Sequence, residues 1–89
     1  MLPPEVHREL IGRLRKIEGQ VQGIQRMLAE ERDCREILDQ LASVRAATRQ
    51  VSVELMKHYA VECLREGEAK NRPDQTVHDV VKLLARMAE

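Results

Sequence analysis

The stretch LIGRLRKIEGQVQGIQRML, residues 10–28, decides the fold expected for this chain. Its large apolar residues recur at steps of 4, 3, 4, 3 and 4 positions, namely Leu10, Leu14, Ile17, Val21, Ile24 and Leu28. That spacing places the apolar side chains in one stripe along an α-helix, and it is typical of a helix packed lengthwise on another helix. The pattern therefore predicts a first helix over residues 4–31, which begins at the Pro3-Pro4 pair.

The downstream sequence predicts two further helices. We expect the second over residues 33–66, with Asp33 as its N-cap, Glu36 in capping-box position and Gly67 at its end. Its seam again follows steps of 3 and 4 positions, namely Ile37, Leu41, Val44, Thr48, Val51 and Leu55. A third, shorter helix is expected over residues 74–88, after Pro73.

The composition favours an all-α fold in a single domain, residues 1–89. The chain has no Phe, no Trp and one Tyr, so its core must be aliphatic, which suits helix-on-helix packing. Two long helices joined by a short turn form a helical hairpin, and two hairpins can cover their seams in an antiparallel four-helix bundle. We therefore expect a homo-oligomer, either a dimer or a dimer-of-dimers tetramer, with the short third helix outside the bundle or between subunits.

Several classes of function are disfavoured by the sequence. No stretch approaches the roughly 18 apolar residues of a membrane span, and the first residues lack a signal-peptide pattern, so we expect a cytoplasmic protein with no membrane partner. No catalytic constellation or phosphate-binding loop is recognisable, so we expect neither an enzyme nor a required cofactor. The formal net charge of zero neither supports nor excludes nucleic acid, because a neutral protein can carry a basic patch.

The two cysteines are the candidate functional residues. In a reducing cytoplasm, Cys34 and Cys63 are better explained as ligands or redox-active thiols than as a structural disulfide. They are 63 − 34 = 29 positions apart, which is about 43 Å along one helix, so they cannot meet within a chain. An antiparallel dimer would bring Cys34 of one subunit level with Cys63 of the other. The alternative is that both are small apolar side chains of the core.

The residue types near Cys63 bear on metal binding. The position that shares its helical face, four residues earlier, is Tyr59, a poor ligand for the soft ions that thiolates select. His58 lies five residues earlier, about 140° around the helix, and does not converge with Cys63.

Three segments together resemble the copper-sensitive operon repressor family (CsoR/RcnR). They are RLRKIEGQVQGIQRML at 13–28, DCREILDQLASVRAA at 33–47 and VECL at 61–64. The resemblance implies an all-helical dimer or tetramer that binds operator DNA and releases it when a signal occupies an intersubunit site. Copper-sensing members have Cys, His and Cys where this chain has Cys34, Tyr59 and Cys63. The persulfide-sensing branch (CstR) keeps both cysteines and lacks the histidine, and this chain resembles it most.

Three hypotheses for function follow from these residues. The leading one is a repressor whose Cys34 and Cys63 react with persulfide or polysulfide donors, one thiolate attacking the sulfane sulfur and the other completing an intersubunit link. The alternative is a Cu(I)-responsive repressor, in which the same two thiolates bind the metal without a third ligand. The third is a helical protein-interaction module with incidental cysteines.

No helix-turn-helix, zinc finger or basic zipper is recognisable in the sequence. The resemblance implies that basic residues of the first two helices, with the glutamine of the Gly-Gln pair, face the operator. We carry this role onto Arg13, Arg15, Lys16, Gln20, Arg45 and Arg49. The alternative is that these charges only solvate a helix face.

Overall fold

The computed structural model of the protein describes residues 2–69 and 73–87, which form three α-helices and contain no strand. α1 spans Pro4–Ala29, α2 spans Cys34–Ala69 and α3 spans Pro73–Met87. The predicted all-α class is confirmed. Within these residues, no helix has both the length and the apolar character needed to cross a membrane.

The helix ends differ from the predicted ones by a few residues. α2 continues through Gly67 to Ala69, so this glycine does not end the helix as predicted. A glycine inside a helix costs only about 1 kcal/mol relative to alanine, which the rest of a 36-residue helix can absorb. The predicted end of the third helix at Ala88 lies outside the described residues.

α1 ends two residues before the predicted position because Glu31 adopts a left-handed backbone conformation, with φ of 55°. The N–H of Glu31 donates to the carbonyl oxygen of Leu28 at 3.2 Å, and the N–H of Arg32 donates to that of Met27 at 2.9 Å. These two bonds form a Schellman motif, in which the left-handed position is usually glycine. The sequence lacks that glycine, which is why the pattern alone placed the end too late.

Glu31→Gly is expected to raise the free energy of unfolding by about 1 kcal/mol, because glycine adopts positive φ without a Cβ penalty. Urea denaturation followed by circular dichroism measures this change. The matched control is Glu30→Gly, at a φ of −85°, where glycine brings no such relief and is expected to destabilise. Equal effects of the two substitutions would contradict the assignment.

The start of α2 is capped as predicted in one respect and not in another. The Oδ1 atom of Asp33 accepts a hydrogen bond from the N–H of Arg35 at 3.3 Å, which confirms Asp33 as the N-cap. Glu36 does not complete the predicted capping box. Its carboxylate accepts hydrogen bonds from Nε and Nη2 of Arg32, each at 3.2 Å. Both oxygens of the Glu36 carboxylate are directed to the Arg32 guanidinium instead.

Residues 3–51 form one compact unit, a helical hairpin of α1 and the first part of α2. The helices run antiparallel: Arg13 lies 29 − 13 = 16 positions before the end of α1, Gln50 lies 50 − 34 = 16 positions after the start of α2, and the two side chains are in contact. The buried side chains of this unit are Leu10, Ile24, Ile37 and Val51. The remaining α1 seam is only partly covered: Leu14, Val21 and Leu28 are 48%, 40% and 60% exposed. The hairpin therefore covers about half of the α1 seam, and Leu14, Val21 and Leu28 form an apolar row that is exposed to solvent.

The second compact unit contains the rest of α2, from Ser52, and α3. Met56 is its one buried side chain among the described residues. A small apolar pocket of about 210 Å³ lies between the two helices, lined by Val53, Met56, Lys57, Ala60, Val80, Leu84 and Met87. Val80, Leu84 and Met87 of α3 therefore face α2, while Val77 and Val81 of the same helix are 50% and 55% exposed.

Candidate sensor thiols and nucleic-acid interface

Both cysteines lie on α2 as free thiols. Cys34 is the first residue of the helix and is exposed, while Cys63 is half-buried. An exposed cysteine at a helix end does not fill a core, so the reading of Cys34 as a small apolar core residue finds no support. Each thiol is reachable by a reagent or an ion.

Tyr59 is adjacent to Cys63, one helical turn before it. The pKa of the Tyr59 phenol is raised, first by its hydrogen bond with the Cys63 side chain and then by the negative charge that this thiol can carry. Partial burial and the carboxylates of Asp79 and Glu66 add to the shift. The phenol of Tyr59 is protonated at neutral pH, as an unshifted tyrosine also is, and it lies beside the thiol in that form.

The surroundings of Cys63 offer no evident set of metal ligands within one chain. Among the residues that the structure describes, no group of three His, Cys, Asp or Glu side chains could hold a metal ion. Cys63 has a phenol where the resemblance places an imidazole.

An open groove of about 950 Å³ runs along the helical hairpin. It is lined by Arg8, Glu9, Gly12, Arg13, Lys16, Ile17, Gly19, Gln20, Ala47 and Gln50. Three of the six predicted DNA-contacting residues are in this set, namely Arg13, Lys16 and Gln20. A Cβ atom added at Gly12 or Gly19 would meet no atom within 4 Å, so both glycines lie against open space.

The other three predicted DNA-contacting residues, Arg15, Arg45 and Arg49, are exposed but do not line the groove. Three further polar residues line the groove, Arg8, Glu9 and Gln50, and none of them is among the six predicted contacts. Glu9 could have been found, because it precedes Arg13 by four positions, the spacing of an ion pair on one helix face. Gln50 depends on the register of the hairpin, which the sequence does not specify to the residue.

Arg13 is the best-connected cation of the groove. Its Nη2 atom lies 2.9 Å from Oε1 of Glu9, and its Nη1 atom lies 3.5 Å from Oε1 of Gln50. The guanidinium thus has one partner on each helix of the hairpin, while its side chain stays 39% exposed. The Arg13 guanidinium therefore lines the groove already paired with a carboxylate, while part of its side chain stays open to solvent.

Comparison with known proteins identifies the class as transcriptional repressors. The chain belongs to the metal-sensitive transcriptional repressor family, which matches residues 6–86. This membership confirms the predicted family and repressor role, as well as the prediction that the chain is not an enzyme.

Individual relatives agree in fold and differ in the metal that they sense. The chain is 30% identical over 81 residues to the copper-sensing transcriptional repressor CsoR of Bacillus subtilis, covering 91% of this chain and 80% of that protein. It is 31% identical to the copper-sensing repressor CsoR with Cu(I) from Geobacillus thermodenitrificans NG80-2, with a TM-score of 0.85 over 100% of this chain and 95% of that chain. The nickel-responsive transcriptional regulator InrS is also 31% identical, with a TM-score of 0.77 over 90% of each chain.

Proposed function

We propose that this protein is a DNA-binding repressor that releases its operator when a signal links Cys34 of one subunit to Cys63 of the partner subunit. The observation that carries the proposal is the presence of two free, accessible thiols on one long helix in a member of a metal-sensing repressor family. In this proposal the whole chain acts as one domain, in the cytoplasm.

Cu(I) is the signal that the comparisons favour, because both CsoR relatives are copper-sensing and one of them carries Cu(I). The donor chemistry fits, since thiolates are soft ligands that select Cu(I). Cys34 of one subunit and Cys63 of the partner subunit would hold the Cu(I), which would supply a link through sulfur between the two subunits. Each chain contributes Cys34, at the start of α2, to one shared site. It contributes Cys63, beside Tyr59, to the other.

A persulfide or polysulfide donor, the leading hypothesis from the sequence, is retained as a second candidate because Tyr59 occupies the central ligand position. A thiolate of the chain attacks the terminal sulfane sulfur of the donor, and the donor leaves as a thiolate or a shortened polysulfide. The second thiolate then attacks the resulting protein persulfide, forms a disulfide between subunits and releases hydrosulfide. If the first thiolate instead attacks an inner sulfur of a longer polysulfide, it takes up two or more sulfur atoms and the rest of the donor leaves as a shorter polysulfide. The second thiolate then displaces the terminal sulfur as hydrosulfide, and the additional sulfur stays in the link. This chemistry needs two facing thiols and no third ligand.

The assembly that the sensor requires is a homo-oligomer. The exposed row Leu14, Val21 and Leu28 is the part of the α1 seam that the chain does not cover itself. A second hairpin packed on this row would complete the predicted antiparallel four-helix bundle and remove the row from water. Pairing of such dimers gives the dimer-of-dimers tetramer.

Operator DNA is the partner proposed for the groove. Arg8, Arg13 and Lys16 place three cations along its lining, and Gln20 adds a neutral hydrogen-bonding group. Cations of this kind bind phosphates and release counterions, so binding is expected to weaken steeply with salt. Arg15, Arg45 and Arg49 are exposed and extend the proposed contact surface beyond the groove.

Tyr59→His is expected to tighten Cu(I) binding by at least about tenfold, roughly 1.4 kcal/mol. The substitution places an imidazole, a good ligand for copper, one turn before Cys63. An anaerobic competition titration against a Cu(I) chelator measures the change. Tyr59→Phe is the matched control, because it removes the hydroxyl without adding a ligand, and it should show no gain. No gain in Tyr59→His either would mean that this position does not face the bound ion.

The same preparation distinguishes the two signals. Tight, stoichiometric Cu(I) binding by the unmodified protein, accompanied by DNA release, establishes copper sensing. Covalent dimers with added sulfur after polysulfide treatment, together with weak Cu(I) binding, establish the persulfide sensor. A protein that binds neither DNA nor a signal would be the interaction module that the sequence also allowed.

A further inference from the structure

One carboxylate lies among the cations of the groove. Glu9 lines the groove together with Arg8, Arg13 and Lys16, and its Oε1 atom accepts a hydrogen bond from Arg13 at 2.9 Å. Gln50 contacts the same guanidinium from α2, but it is neutral. The cation most firmly held for DNA contact is therefore already paired with an anion of its own helix.

We propose that Glu9 is an internal competitor for the DNA phosphate at Arg13 and holds the affinity of the repressor for DNA below the value that the groove could otherwise reach. This inference rests on the proposed DNA-binding role of the groove. A carboxylate and a phosphate present the same kind of charged oxygen to a guanidinium, so they compete for the same N–H groups. The Glu9–Arg13 pair is solvent-exposed and weak, so a phosphate can replace it.

Glu9 acts on DNA in two ways. Its carboxylate must give up at least part of its contact with Arg13 before the phosphate can bind, and it then remains nearby as a like charge. Both effects concern the phosphate backbone, which carries no sequence information. The competition is therefore expected to weaken binding to any duplex by the same factor, leaving operator preference unchanged.

The test is Glu9→Gln, titrated into a fluorescein-labelled duplex of arbitrary sequence and about 30 base pairs by fluorescence anisotropy over a range of salt concentrations. Removal of the charge is expected to tighten binding by about fivefold at low salt, the effect of one unit charge at contact distance in water. The gain should shrink as salt screens the charge. The slope of log K against log salt should steepen by up to about 0.9, because one more cation becomes free to neutralise a phosphate.

Glu54→Gln is the matched control. It makes the same charge change in an ion pair with Lys57, at 3.3 Å, that does not line the groove. Equal gains in both variants would overturn the proposal, because the effect would then be one of net charge.

Arg13→Ala distinguishes failure of the proposed competition from failure of the proposed DNA-binding groove. If Arg13→Ala weakens binding and Glu9→Gln does not strengthen it, the competition is disproved while the groove stands. If Arg13→Ala binds like the unmodified protein, the groove is not the DNA surface and both proposals fail there.

Discussion

Replacement of either sensor cysteine is expected to leave a repressor that binds DNA and no longer releases it when the signal is added. Allosteric effectors typically change the affinity for a second ligand by about 5- to 150-fold. For the signal and DNA, that factor should fall to about one in Cys34→Ala and in Cys63→Ala. The reason is that a signal can shift DNA affinity only through its different interaction with the two states, and a single thiol cannot link two subunits.

Fluorescence anisotropy with and without Cu(I), or with and without polysulfide, measures the loss of response. Cys34 is exposed at the start of α2, so Cys34→Ala is expected to change stability little. Tyr59→Phe is the control that keeps both thiols, and it should retain the response. A normal response in Cys63→Ala would remove that residue from the sensor.

The second large effect is expected for the double variant Arg13→Ala, Arg49→Ala, which should bind DNA at least about 100-fold more weakly. Each guanidinium makes a charge-assisted contact worth about 1.5–3 kcal/mol where it meets a phosphate, and two such contacts are lost. The salt dependence should become shallower by about one unit of slope for each lost phosphate contact.

The matched control removes two exposed cations of α3, in Lys82→Ala, Arg86→Ala. This pair lies outside the proposed DNA surface, so its affinity should change by less than about threefold, the effect of long-range charge alone. Thermal unfolding of both double variants checks that the fold is intact. Equal losses in the two variants would show that DNA senses only the overall charge of the protein.

Most of the fold could be predicted from the periodic spacing of the apolar residues. The steps of 3 and 4 positions predicted the helices, and Leu10 and Ile24 of the α1 seam are buried. The same spacing does not show which side chains of the seam the chain buries itself. Leu14 and Val21 belong to the same seam as the buried residues and yet are exposed. The end of α1 could not be predicted from the apolar spacing, because it depends on Glu31, which adopts a left-handed backbone conformation that glutamate disfavours.

The candidate site was predictable where it depends on one helix and unpredictable where it depends on two. Tyr59 lies one turn from Cys63 because residues four apart share a helix face, whatever the rest of the fold does. The contact of Arg13 with Gln50 depends on how α1 and α2 slide past each other, and no single helix encodes that register. The groove therefore became visible only in the folded hairpin.

The most direct test of the intersubunit site uses two defective chains to rebuild it. Cys34→Ala and Cys63→Ala chains are co-expressed, oxidised mildly with diamide, and analysed by intact mass under non-reducing conditions. We expect a covalent heterodimer with one chain of each variant, because the Cys34 that remains in one chain faces the Cys63 that remains in the other within disulfide reach. Covalent homodimers alone, or no covalent dimer at all, would contradict a site shared between Cys34 of one subunit and Cys63 of the other.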